Sequence, residues 1–92
     1  MPVLDGNEKK YLMECIETGW ISSEGPFVAK FEDTLATRLG RKFAVAVSSG
    51  TAALDIAVAA LGLKENDEVI LPSFTIISCA TAIVRAGLIP VV

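Results

Sequence analysis

The sequence predicts an α/β protein with parallel strands, and the pattern in its second half supports this. Three short, mainly apolar runs lack the polar–apolar alternation of a strand with one face in water; they are residues 43–47, 68–71 and 90–92. Helical segments at residues 51–61 and about 76–85 separate these runs. We therefore expect residues 1–42 to be helical and residues 43–92 to begin a parallel sheet.

The first helix is predicted from a start signal and an apolar periodicity. Asp5 and Glu8 have the D-x-x-E spacing of a capping box. Side chains that recur at helical spacing follow; they are Tyr11, Leu12, Cys15 and Ile16. Gly19 ends the run, and residues 20–25 (WISSEG) are predicted to form a loop.

A second helix is predicted between Pro26, at its first position, and Gly40, just past its end. Its apolar stripe recurs every four residues; the members are Phe27, Phe31, Leu35 and Leu39. Glu32 and Asp33 precede Arg38, which is the order of charges that the helix dipole favours.

Turn residues separate the later elements. Residues 48–50 form the first predicted turn, and Gly62 stops the helix that follows. Residues 64–67 form a polar turn, Pro72 closes the second strand, and Gly87 ends the last helix. No internal repeat or linker interrupts this order, so the sequence predicts one domain.

The chain combines a short length with a high apolar content. Its 92 residues form at most one small domain, yet 52% of them are hydrophobic. A chain of this size cannot bury that much apolar surface within itself, so we expect it to pack against further chain or another subunit. The last strand has barely begun at residue 92, and we therefore expect an N-terminal piece of a larger domain.

Charge and composition argue against several classes of partner. The net charge is −3, and basic residues occur at most in pairs, at Lys9-Lys10 and Arg41-Lys42, so we expect no nucleic-acid partner. No apolar run is long enough for a membrane span, and the absence of a secretory signal favours the cytoplasm. Cys15 and Cys79 have no metal-ligand spacing and there is no histidine, so we expect packing cysteines and no metal site.

The first turn carries the clearest chemical signal. Residues 48–54 (SSGTAAL) lie between a strand end and a helix start, where free backbone amides and the helix dipole form an anion site. Gly50 permits a close approach, Thr51 adds a hydroxyl, and Ala52 keeps the approach free of bulk. An ordinary helix cap explains the same residues. The Walker and dinucleotide spacings are absent, which leaves room for a phosphorylated cofactor such as pyridoxal 5′-phosphate (PLP).

Five segments occur in the order and spacing of one family; they are residues 4–8 (LDGNE), 18–23 (TGWISS), 47–54 (VSSGTAAL), 67–75 (DEVILPSFT) and 86–91 (AGLIPV). Together they cover nearly the whole chain. They resemble the PLP-dependent sugar aminotransferases of the DegT/DnrJ/StrS type, and most closely the perosamine-synthase-like branch.

The resemblance implies a fold, a reaction and an assembly. The fold is that of aspartate aminotransferase (fold type I), with this chain as the N-terminal part of the large PLP-binding domain. The reaction transfers an amino group, usually from glutamate, to a keto carbon of a nucleotide-linked sugar. The assembly is a homodimer.

The resemblance also implies which residues bind the cofactor. Gly50, Thr51 and Ala52 hold the PLP phosphate. In much of the family an aromatic residue stacks on the pyridine ring at the position of Ile76, so Ile76 is assigned to the ring, with core packing as the alternative. Phe74 is expected to point to the opposite side of an extended segment.

Two further assignments follow for side chains near the predicted site. The resemblance places Trp20 and Ser22 in a loop near the sugar site, and packing of Trp20 against a helix end is the alternative. Asp55 is expected to face solvent or to interact with the helix dipole.

No catalytic residue is expected within these 92 residues. In the family, the lysine that forms a Schiff base with PLP and the aspartate that pairs with the pyridinium nitrogen both lie downstream. The five lysines lie on helix faces or polar turns; they are Lys9, Lys10, Lys30, Lys42 and Lys64. The chain alone is therefore expected to be inactive. Two other readings remain: another fold type I enzyme (a cysteine desulfurase or a sulfur-amino-acid lyase), or a truncated, non-catalytic binding module.

Overall fold

The computed structural model describes all 92 residues, which form two compact units, Met1–Ala46 and Val47–Val92. The elements in chain order are α1 (Glu8–Thr18), α2 (Pro26–Arg38), α3 (Gly50–Ala60), β1 (Glu68–Ile70), α4 (Ile77–Arg85) and β2 (Ile89–Val91). None of the four helices combines the length and the apolar character that crossing a lipid bilayer requires.

Helix α1 ends as predicted but begins later. Its end is confirmed at Gly19, where φ is +73° and the N–H donates to the Ile16 carbonyl. The predicted capping box is wrong, because the N-cap is Asn7 and no side chain caps the helix. Glu8 is the first helical residue, so its carboxylate is in the wrong position to bond back to a cap amide at Asp5.

Helix α2 has the predicted boundaries. Pro26 is its first residue, and Gly40 follows its end with φ +62°. An aromatic pair joins α2 to α1, because the rings of Tyr11 and Phe27 lie 5.3 Å apart between centroids. The Lys30 ammonium lies 5.7 Å from the first ring and 6.0 Å from the second, which adds a cation–π contact.

Residues 43–47 do not form the strand that their apolar character predicts. The sheet contains only β1 and β2, so this segment has no strand to pair with. Its Ala46 N–H donates instead to Glu32 Oε1 of α2, at 2.7 Å. Phe43 and Val45 remain 84% and 74% exposed. The structure thus groups residues 43–46 with the helical unit, whereas the sequence placed that boundary after Lys42.

The second unit confirms the predicted parallel arrangement. Strands β1 and β2 pair in parallel, with Val69 opposite Pro90, and α4 connects them. A small core lies beneath them, formed by Leu71, Ile83 and Leu88. Val58 of α3 and Cys79 of α4 pack against that core, which confirms a packing role for Cys79. Helices α3 and α4 also pack directly on each other.

Candidate functional site

The start of α3 presents unpaired backbone amides. Ser49 is the N-cap, with extended backbone (φ −162°, ψ 163°), and its Oγ accepts the N–H of Ala52 at 3.1 Å. The Ser49 carbonyl accepts the N–H of Ala53 at 3.0 Å. The amides of Gly50 and Thr51 are left without a protein acceptor, and both residues are exposed.

The geometry of this turn suits a phosphate group. A Cβ added to Gly50 would meet no atom within 4 Å, so an oxygen can approach the backbone there. The dipole of the 11-residue helix α3 points its positive end at the same space. Two free amides and the Thr51 hydroxyl are donors that a phosphate dianion accepts, and the residues present therefore fit the phosphate of PLP.

Ala52 differs from the other two residues assigned to the phosphate. Its N–H is already used by the Ser49 hydroxyl, so that hydroxyl has to rotate before the Ala52 amide can bind a phosphate oxygen. The ordinary helix cap that the sequence offers as the alternative is also present, because Ser49 is the N-cap of α3.

Ile76 lies at the start of the neighbouring helix. It is the N-cap residue of α4 (φ −70°, ψ 141°), and its carbonyl accepts the Cys79 N–H at 3.1 Å. Its side chain is 69% exposed and is absent from the core around Ile83. Ile76 thus does not join the core that these 92 residues form, and its contact with the ring stays a prediction. The structure places the predicted phosphate residues and Ile76 at the N-terminal ends of two helices that pack together.

The segment before Ile76 is not extended, although the sequence predicts an extended segment there. Residues 73–75 are bent, so the alternation expected of an extended segment does not apply to Phe74. The Phe74 side chain is 99% exposed. Beside it, Thr75 Oγ1 lies 3.3 Å from Cys79 Sγ, a contact between the bend and the first turn of α4.

Trp20 and Ser22 belong to the first unit. Trp20 is 50% exposed and lines an apolar groove of about 340 Å³ together with Leu12 and Ile16 of α1. The Ser22 Oγ accepts the Glu24 N–H at 3.4 Å, which leaves its own proton available to another acceptor.

Asp55 has a different role from the expected one. Its Oδ2 accepts a 2.6 Å hydrogen bond from Arg85 Nη1, which joins α3 to α4. Asp55 lies beyond the first turn of α3 and forms this cross-helix pair, so the expected dipole role is wrong. All five lysines are exposed, and none lies at the start of α3 or α4.

Comparisons with known proteins give one consistent family. The sequence profile of the DegT/DnrJ/EryC1/StrS aminotransferase family matches residues 2–92. Over 90 residues, the chain is 49% identical to the GDP-perosamine synthase of Vibrio cholerae and 47% identical to that of Caulobacter vibrioides. In both comparisons 98% of this chain is covered, and the chain spans about a quarter (24%) of the relative's length.

Two solved structures are also similar. The structure of NtdA from Bacillus subtilis with the bound cofactor PMP superposes with a TM-score of 0.78 at 36% identity, covering 90% of this chain and 19% of that one. The Escherichia coli GDP-4-keto-6-deoxy-D-mannose-3-dehydratase with bound hydrated PLP gives a TM-score of 0.87 at 28% identity, covering 98% and 24%.

Proposed function

Because the chain belongs to the DegT/DnrJ/EryC1/StrS aminotransferase family, we propose that the whole protein is a PLP-dependent sugar aminotransferase. The proposed reaction moves an amino group from an amino acid, glutamate in the simplest case, to a keto carbon of a nucleotide-linked sugar. The observation that carries the proposal is the start of α3, where two free amides and the Thr51 hydroxyl surround an open space inside the family match.

The residues of this chain bind and orient the cofactor in this proposal. Gly50 and Thr51 donate to the phosphate, and Ala52 joins them once the Ser49 hydroxyl rotates. Ile76 covers one face of the pyridine ring by dispersion contacts. PLP, when bound, supplies the electron sink that amino-group transfer requires. The chain holds the cofactor in place, and no residue in it is assigned to proton transfer.

The substrate class is proposed from the relatives and from the groove beside Trp20. Two of the relatives are named as GDP-perosamine synthases, which supports a nucleotide-linked sugar. An exposed tryptophan face packs against the apolar face of a sugar ring, and the Ser22 hydroxyl can donate to a sugar oxygen. We propose that these two residues bind the sugar.

We also propose that the whole protein is a homodimer. Large apolar side chains remain exposed in both units, among them Phe43, Phe74 and Ile77. Exposed apolar surface of this kind favours burial against further chain of the same protein or against another subunit. The mass of the whole protein in solution, measured by light scattering, tests this assignment.

The absorbance spectrum of the whole protein tests the proposed reaction. We expect bound PLP to give a visible band that bleaches when glutamate is added and returns when a keto sugar nucleotide follows. A protein that gives no band with PLP, or a band that no amino acid changes, contradicts the proposal.

One alternative reaction has its own support. The 0.87 TM-score and 28% identity to a sugar 3-dehydratase favour removal of a hydroxyl from the sugar as the second candidate. Mass spectrometry of the product separates the two, because transamination adds an amino group to the sugar and dehydration removes the elements of water.

A further inference from the structure

An ion pair joins the helix of the phosphate site to its neighbour. Asp55 lies four residues after Thr51, so both side chains project from the same face of α3. Arg85 lies in the last turn of α4, and its Nη1 donates to Asp55 Oδ2 at 2.6 Å. The orientation of α3 about its own axis places Asp55 beside Arg85. The same orientation therefore sets the side of the helix from which the Thr51 side chain projects.

Val58 packs α3 on the core around Ile83, and the groove beside the ion pair adds little further restraint on the rotation of α3. The small groove of about 230 Å³ around the pair is lined by alanines; they are Ala59, Ala82 and Ala86. Alanine side chains let two helices approach closely but interlock weakly, because ridges that fit into grooves require longer side chains. Asp55 and Arg85 thus form the directional contact in this part of the α3–α4 interface.

The two partners differ in solvent exposure, so the loss of one partner affects Asp55 more than Arg85. The Asp55 side chain is 34% exposed, and its Oδ1 is buried without a hydrogen-bond partner. The Arg85 side chain is 60% exposed. Removing Arg85 leaves a carboxylate with no protein partner at either oxygen, which favours a movement of the side chain or of α3 that exposes it further to water. Neutralising Asp55 leaves an arginine that water already solvates.

We propose that Asp55 and Arg85 are a positioning pair, which aims the Thr51 hydroxyl and the free amides of α3 at the phosphate of the cofactor. The inference rests on the proposed function, since it assumes that PLP binds there. Neither residue touches the cofactor, and both act through the orientation of α3.

The test is the dissociation constant of PLP for the whole protein and its variants. Arg85→Met should raise the dissociation constant about tenfold, and Asp55→Asn should raise it by a smaller factor. The double variant should bind PLP more tightly than Arg85→Met alone. Arg85→Lys, which keeps the charge, should restore most of the affinity. If Arg85→Met is not recovered as folded protein, Arg85→Gln takes its place with the same expected order.

A spectroscopic control separates positioning from general stability. Ile83→Val removes one buried methylene from the core and leaves the ion pair in place. The ³¹P signal of bound PLP should shift in Arg85→Met and stay unchanged in Ile83→Val. Equal affinity and an equal ³¹P shift in wild type and Arg85→Met would overturn this inference alone. A wild-type protein that binds no PLP would overturn the proposed function and this inference with it.

Discussion

At the scale of single residues, Thr51 offers the most direct contact with the proposed phosphate. It is exposed, and its hydroxyl and N–H both lie at the positive end of α3. We expect Thr51→Ala to weaken PLP binding by about 1–2 kcal/mol, the scale of one hydrogen bond to a charged group. Equilibrium dialysis of the whole protein measures this, and equal affinity in both proteins would remove the Thr51 hydroxyl from the site.

Ile76 is the second test at this scale. Because its side chain is 69% exposed, Ile76→Phe should leave thermal stability unchanged without PLP and keep or raise the stabilisation that PLP confers. Ile83→Phe is the matched control: Ile83 is 4% exposed, so the same change there should overpack the core at a cost on the order of 1–3 kcal/mol. An equal loss of stability with and without PLP in Ile76→Phe would argue against contact with the ring.

At the scale of elements, the sequence predicted helices and turns well where local signals decide them. The local signals are Pro26 at the start of α2 and a glycine after each of α1 and α2. All three helix boundaries are confirmed. Residues 43–47 were predicted as a strand because apolar runs indicate burial, but a strand also needs a partner, and none is present.

Two side-chain contacts could not be predicted because their partners are distant in the sequence. Glu32 and Ala46 are 14 residues apart, and Asp55 and Arg85 are 30 residues apart. Each of the three charged residues alone resembles an ordinary residue on a helix surface, and Ala46 contributes only its backbone N–H. The phosphate turn could be predicted because all of its residues lie in one short segment.

The contact between Glu32 and Ala46 gives a prediction at the element scale. Glu32→Ala should speed exchange of the Ala46 amide and lower local stability by about 1–2 kcal/mol, since a part-buried N–H loses its acceptor. Glu32→Gln, which keeps an acceptor oxygen, should retain most of the protection. Hydrogen exchange followed by mass spectrometry measures it, with Asp33→Asn as the control on the same helix. Unchanged exchange in Glu32→Ala would contradict the contact.

At the scale of the whole molecule, the chain buries little. Its buried hydrophobic residues are Ala36, Leu71, Ala82, Ile83 and Leu88. Its sheet has two strands of three residues each, and a two-stranded sheet is marginally stable by itself. The apolar content predicted this exposure, but the surface that each unit presents could not be derived from composition.

We therefore expect the 92 residues expressed alone to aggregate or to associate with a partner, and to show no transamination. Size-exclusion chromatography with amide hydrogen exchange tests the first part. A monodisperse monomer with strongly protected amides in β1 and β2 would contradict it. An assay with PLP, glutamate and a keto sugar nucleotide tests the second, and turnover by this chain alone would contradict it.

The open space at the start of α3 is the proposed binding site for the phosphate of the cofactor. Gly50→Val fills that space, and the protein itself should tolerate the change because a Cβ there meets no atom within 4 Å. Ala57→Val is the matched control, since it places the same side chain on an exposed position of α3 away from the turn.

The deciding measurement compares the affinity of the whole protein for PLP with its affinity for pyridoxal, which lacks the phosphate. Gly50→Val should lose PLP affinity strongly and leave pyridoxal affinity nearly unchanged, while Ala57→Val should bind both as the wild type does. Equal losses for PLP and pyridoxal in Gly50→Val, or no loss of PLP affinity at all, would contradict the assignment of the phosphate to this turn.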